Sequence, residues 1–166
     1  MTGFASRDDS PKSPRFRVVD AAAEGTTEEA APATVDGVTA LISERLLVEP
    51  ESWRERRGTP AAGHTTLRVD VPLISSLARI RSEADAALAL TGVLELVARR
   101  FHVALPCAWS EGSAFWCDAP AQTDPDALAA VVNDDLLALV RATDLQGALR
   151  ENYLARVTEV ALDDVR

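Results

Sequence analysis

Lysine is nearly missing from this 166-residue chain, aromatics make up only 5% of it, and two cysteines with two histidines are its whole stock of thiol and imidazole metal ligands. Each scarcity excludes something. With Lys12 alone beside sixteen arginines and a net charge of −9, no basic cluster interleaved with aromatics exists to meet a phosphate backbone, so nucleic acid is set aside as a partner. No apolar run approaches the roughly 18 residues of a membrane span, and the N-terminus lacks the basic start and apolar stretch of a signal peptide. The expected setting is the cytoplasm, away from membranes, where Cys107 and Cys117 stay reduced thiols. The glycine patterns that cradle nucleotide phosphates and the G-x-S-x-G nucleophile turn are also missing, so no catalytic residue and no cofactor is assigned.

What is present is aliphatic. Apolar residues reach 47%, so the core must be built from Leu, Val and Ala, a composition that favours helices over an all-β sandwich. Charge is polarised along the chain. Residues 51–100 hold eight arginines and six acids, whereas residues 118–166 hold four arginines and ten acids. Arg54, Arg56 and Arg57 form the densest basic run, read as a solvated helix face.

Residues 1–34 are poor in apolar side chains and rich in Ser, Pro, Thr and Ala, which predicts a disordered leader ahead of one α+β domain at 35–166. Within the leader, Arg15-Phe16-Arg17-Val18-Val19 alternates and is suited to adding a strand to a sheet edge. A first helix is expected after Asp36, through Val38, Leu41, Ile42 and Leu46, ending before Pro50. A second runs from Pro50 to Arg57, with Gly58 as its cap. Leu67, Val69 and Val71 alternate with Thr66, Arg68 and Asp70, the period of a half-buried strand.

From Pro72, an apolar stripe at steps of four and three reaches Phe101. It favours one long helix, with any bend at Thr91-Gly92. Asp124-Pro125 opens a further helix ending near Thr143, and Leu145, Leu149, Tyr153, Val157 and Val160 predict a final one. Between the long helix and Asp124 lies a hairpin, 102–109 and 114–118, turning at Glu111-Gly112-Ser113. The expected architecture is two-layered: three antiparallel strands, four if the leader adds one, with one face covered by the long helix and the C-terminal helix pair.

A three-residue turn sets Trp109 opposite Phe115 and Cys107 opposite Cys117. One face then carries Val103, Leu105, Cys107, Trp109, Phe115 and Cys117, and the other carries His102, Ala104, Ala108, Trp116 and Asp118. The plain reading of the cysteines is burial in the core. A cross-strand disulfide and a zinc set with His64 and His102 are the alternatives, and the spacing lacks the paired ligand elements that zinc sites use. Trp116 falls on the face away from the predicted helices, beside Arg68 and Asp70. An exposed tryptophan suits an anchor for a partner.

These observations point to a non-enzymatic adaptor, assembly or chaperone-like protein that binds another protein or itself. Trp116, Arg68, Asp70, Phe16 and Val18 are the candidate contacts. The alternative is a small enzyme or ligand-binding protein with a pocket between the 102–118 hairpin and the 73–101 helix, using His64, His102, Cys107 and Trp109.

Overall fold

Alternation along 64–70 and 104–120 makes the centre of a sheet, and the surrounding chain is arranged to cover it. A computed structural model describes residues 35–58, 62–110, 113–143, 145 and 154–160. In chain order the elements are α1 (Val35–Ala40), β1 (Leu47–Val48), α2 (Pro50–Arg57), β2 (His64–Asp70), α3 (Pro72–Ile80), α4 (Glu83–Phe101), β3 (Ala104–Ser110), β4 (Ala114–Pro120), α5 (Pro125–Ala142) and β5 (Arg156–Glu159). The leader, with Phe16 and Val18, lies outside the described residues.

The α+β class is as expected, but the sheet is mixed and has five strands in the order β1-β3-β4-β2-β5. The two added strands come from opposite ends of the fold and close its edges. Leu47 and Val48 pair in parallel with Cys107 and Ala108, and Arg156–Glu159 pair antiparallel with Leu67–Asp70. Both replace helix expected from the sequence. Leu41, counted on the apolar stripe of the first helix, is 59% exposed, and the helix stops at Ala40, so that the buried pair Leu47 and Val48 is free to enter the sheet. The final helix is likewise a strand over 156–159. Val157 fits a helical stripe and a strand alternation equally well, and the edge of β2 decides in favour of the ladder. Asn133 of α5 fixes the entry to β5. Its amide donates to the carbonyl oxygen of Ala155 (3.1 Å) and accepts from the Ala155 N–H (2.6 Å).

The long stripe is two helices, and the break falls at Arg81-Ser82, not at Thr91-Gly92. Ser82 caps α4, its hydroxyl accepting from the Asp85 N–H at 3.0 Å, and this local bond outweighs continuity of the stripe. Two boundaries agree with expectation. α2 is Pro50–Arg57, with Gly58 at φ 60 donating to the Arg54 carbonyl, and α5 starts after Asp124, whose carboxylate accepts from the Asp126 N–H.

The expected pairing holds on the turn side of the hairpin. Trp109 faces Phe115 and Ala108 faces Trp116, while an irregularity between Ala104 and Ala108 shifts the pairing so that Ala104 meets Asp118. The shift carries Leu105 out of the apolar row, and it is 40% exposed. α3, α4 and α5 cover the inner face. Leu90, Val93, Leu94 and Val97 of α4 and Leu128, Val132, Leu136 and Val140 of α5 close over Leu67, Val69, Cys107, Phe115 and Cys117 in one buried cluster. Among the described residues, no helix is long and apolar enough to cross a membrane.

Candidate functional site

The outer face, expected to be bare of helices, is half covered. Pro50 sets the first turn of α2 and Gly58 ends it, which lays two turns of helix over β3 and β4. Trp53 is the residue α2 buries. It is 3% exposed and packs with Val48, Ala108, Trp116 and Val160 in a second, smaller apolar cluster. The Trp53 and Trp116 rings lie 6.2 Å apart at 51°, a tilted pair of the kind aromatic quadrupoles favour.

The arginines of α2 complete this contact. Read as a solvated face, they divide: Arg56 is exposed, Arg54 is half-buried with its guanidinium 5.7 Å from the Trp116 ring centroid, and Arg57 lies 4.4 Å from that of Trp53. Arg57 continues inward to a buried charge. Its Nε lies 2.8 Å from Asp118 Oδ2, a charge pairing without a well-aligned hydrogen bond, and both side chains are about nine-tenths buried. Directed bonds run through Thr66 instead. Arg57 Nη2 donates to Thr66 Oγ1 (2.5 Å), and that hydroxyl donates to Asp118 Oδ1 (2.8 Å). Thr66 and Asp118 are register partners on β2 and β4, so the sheet itself sets the spacing of this triad.

Beyond α2, no helix among the described residues covers the outer face. Arg68 stands beside Trp116 in the register and pairs with Asp70 at 3.2 Å, with both side chains more than a third exposed. Arg156 and Thr158 of β5 stand opposite Asp70 and Arg68 and are exposed, and the far edge of β5 has no partner strand among the described residues. A cavity of about 260 Å³ opens at the other end of α2, lined by residues that include Trp53, Arg57, His64, Pro106 and Asp118.

Trp116, Arg68 and Asp70 therefore share one face, as expected, with Trp116 half-buried beneath α2. His64 is exposed at the start of β2 on the rim of that cavity. His102 ends α4 in the left-handed region (φ 55) and is also exposed. Cys107 and Trp109 belong to the core on the inner face, away from the cavity that His64 lines. Sequence reasoning missed Trp53, Arg57, Thr66 and Asp118. One signal was available, since Trp53 and Arg57 are one turn apart on a short helix and so share a face.

Both cysteines are free and fully buried. Hydrogen bonding to Cys117, then burial, then the charges of Cys117 and Asp118 hold the Cys107 thiol well above its ordinary range. The folded thiol thus stays protonated where the unfolded chain ionises, near pH ~8.5. Its contribution to stability is complete below that pH and is lost as the pH rises, by up to about 1.4 kcal/mol per unit. Urea midpoints measured from pH 7 to 10 should fall more steeply for the wild type than for Cys107→Ala; equal slopes would contradict this placement.

No protein-family model, curated protein or solved structure matches the chain. The functional argument rests on the geometry above.

Proposed function

We propose that the protein is a non-enzymatic adaptor, assembly or chaperone-like protein that holds a segment of another protein on the open half of its outer sheet face. One observation carries the reading. The row Trp116, Arg68 and Asp70 is braced from one side by α2 and ends on the other at the exposed strand β5. An extended segment laid there gains main-chain hydrogen bonds from the edge of β5 that no described strand occupies and side-chain contacts from the row. Arg68 and Asp70 are half-exposed and already paired, so they supply register and polarity, while Trp116 supplies the apolar anchor. Phe16 and Val18 are part of the same proposal, as further contacts from the leader.

A photo-crosslinking amino acid at position 158, compared with one at the exposed position 130 on α5, tests this in the native host. Discrete adducts are expected at 158 and not at 130, and Arg68→Glu should reduce them about tenfold or more, as for loss of an interfacial charge contact. Equal labelling at the two positions would sink the proposal.

A further inference from the structure

The cavity at the end of α2 shares no residue with the row Trp116, Arg68 and Asp70, and its lining divides into an apolar and a charged part. The apolar part is Leu105, Pro106 and the ring of Trp53. Leu105 is there because the irregularity in β3 takes it out of the core row, which leaves it 40% exposed. A large aliphatic side chain turned to water forgoes its burial, and a ligand with an apolar body restores it.

The charged part holds two arginines and one acid among the described residues, Arg56, Arg57 and Asp118. The acid is already engaged. Thr66 donates to its Oδ1 at 2.8 Å and Arg57 Nε lies 2.8 Å from its Oδ2, so both oxygens face a partner and the charge is balanced. Arg57 has a nitrogen to spare. Its Nη2 donates to Thr66 and its Nε faces Asp118, whereas Nη1 makes no hydrogen bond to a described residue and is not among the atoms shut away from solvent. Thr66, Asp118 and the Trp53 ring, 4.4 Å from the guanidinium, hold the group in place, so a further bond from Nη1 costs little side-chain entropy.

Arg56 adds a charge that Asp118 does not balance. Its contact with Glu44 is long, at 3.7 Å, and both side chains are more than half exposed, so the pair is weak and the guanidinium is available to the cavity. His64, exposed on the same lining, carries a further N–H donor. In a chain of net −9, this local excess of positive charge runs against the overall field. A cation finds no unmatched acid here; an anion finds two guanidinium groups.

We infer that this cavity binds a small organic carboxylate, with its anionic head between Arg57 Nη1 and Arg56 and its apolar body against Leu105, Pro106 and Trp53. The volume of about 260 Å³ lies below the roughly 300–1,000 Å³ of pockets for drug-sized ligands, which limits the body to a single ring or a short chain.

Benzoate and hexanoate are the probes, titrated into the full chain and followed by calorimetry and by amide and indole NMR shifts. At least one should saturate with a dissociation constant of about 1 mM or below, within reach of a ligand of some ten heavy atoms, and the shifts should centre on Trp53, His64 and residues 104–106. The matching amides keep the body and lose the charge; acetate and inorganic phosphate keep a charge and lose the body. All four should bind about tenfold or more weakly. Arg56→Ala and Leu105→Ser, at exposed positions that do not support the core, should each weaken binding about fivefold or more. Arg57→Met combined with Asp118→Leu should abolish it. No saturation by either probe up to about 20 mM overturns the inference, as do shifts centred elsewhere. So does an amide or inorganic phosphate that binds as tightly as the carboxylate, or binding left undiminished by Arg56→Ala and Leu105→Ser or by the folded double variant.

Discussion

Asp118→Ala should destabilise the protein by roughly 3–5 kcal/mol, the range for removing one partner of a buried ion pair. The cost arises from what stays behind. Arg57 remains covered by Trp53 and the sheet, with its charge uncompensated and the Thr66 hydroxyl without its acceptor. Coulomb attraction alone does not make such a pair stabilising, since taking both ions out of water offsets most of it. Arg57→Met combined with Asp118→Leu should therefore fold with a stability within about 1–2 kcal/mol of the wild type, although each half of the pair alone is costly to lose. Urea denaturation of the two single variants and the double variant measures this directly. A loss below about 1 kcal/mol for Asp118→Ala would mean that Arg57 swings out to water and that the triad does not hold α2 in place.

Trp53→Ala should cost a similar amount, about 3–5 kcal/mol, by the combined loss of apolar burial and of the space the ring fills. Its effects should also be local. Trp53 is the only apolar residue α2 buries, so α2 has no other apolar hold on the sheet, and backbone amides of 51–57 should exchange far faster while those of β3 and β4 change little. The tilted contact with Trp116 gives a second measurement. A double-mutant cycle over Trp53→Ala and Trp116→Ala should return a coupling of about 0.5–1.5 kcal/mol, and additivity would rule out a direct interaction between the rings.

The parts of the molecule readable from the sequence are those decided within a few residues. Gly58, Asp124 and the Pro50 and Pro125 starts mark α2 and α5 correctly, because caps are local hydrogen-bond problems. The parity of β2, β4 and the turn-side half of β3 is right for the same reason, since alternation and one turn determine it, and both cysteines are in the core, whereas Leu105 lies beyond the irregularity and does not follow it. Ser82 was legible and overlooked; the stripe through Leu77, Ile80 and Ala84 runs straight across its cap.

What could not be read depends on remote partners. Leu47-Val48 become a strand because β3 offers a parallel edge, and 156–159 because β2 offers the other. The candidate site shows the same division. Trp116, Arg68 and Asp70 follow from strand parity, but the burial of Arg57 requires knowing that α2 crosses the sheet and that Thr66 and Asp118 are register partners.

The order in which the strands lie also bears on how the chain reaches this structure. Only β3 and β4 are joined by a short turn; β1 and β5 each pair with a strand far away in the chain, one on either edge of the sheet. The central hairpin and the helices packed on it have the lowest loop-closure entropy to overcome, so they are the natural nucleus, and the two edges should add late. During synthesis, the backbone of β2 then waits unpaired on its outer side until residues 156–159 have left the ribosome. That interval exposes a strand edge to other chains, and rapid refolding with late protection of the β2 amides is the kinetic signature to look for.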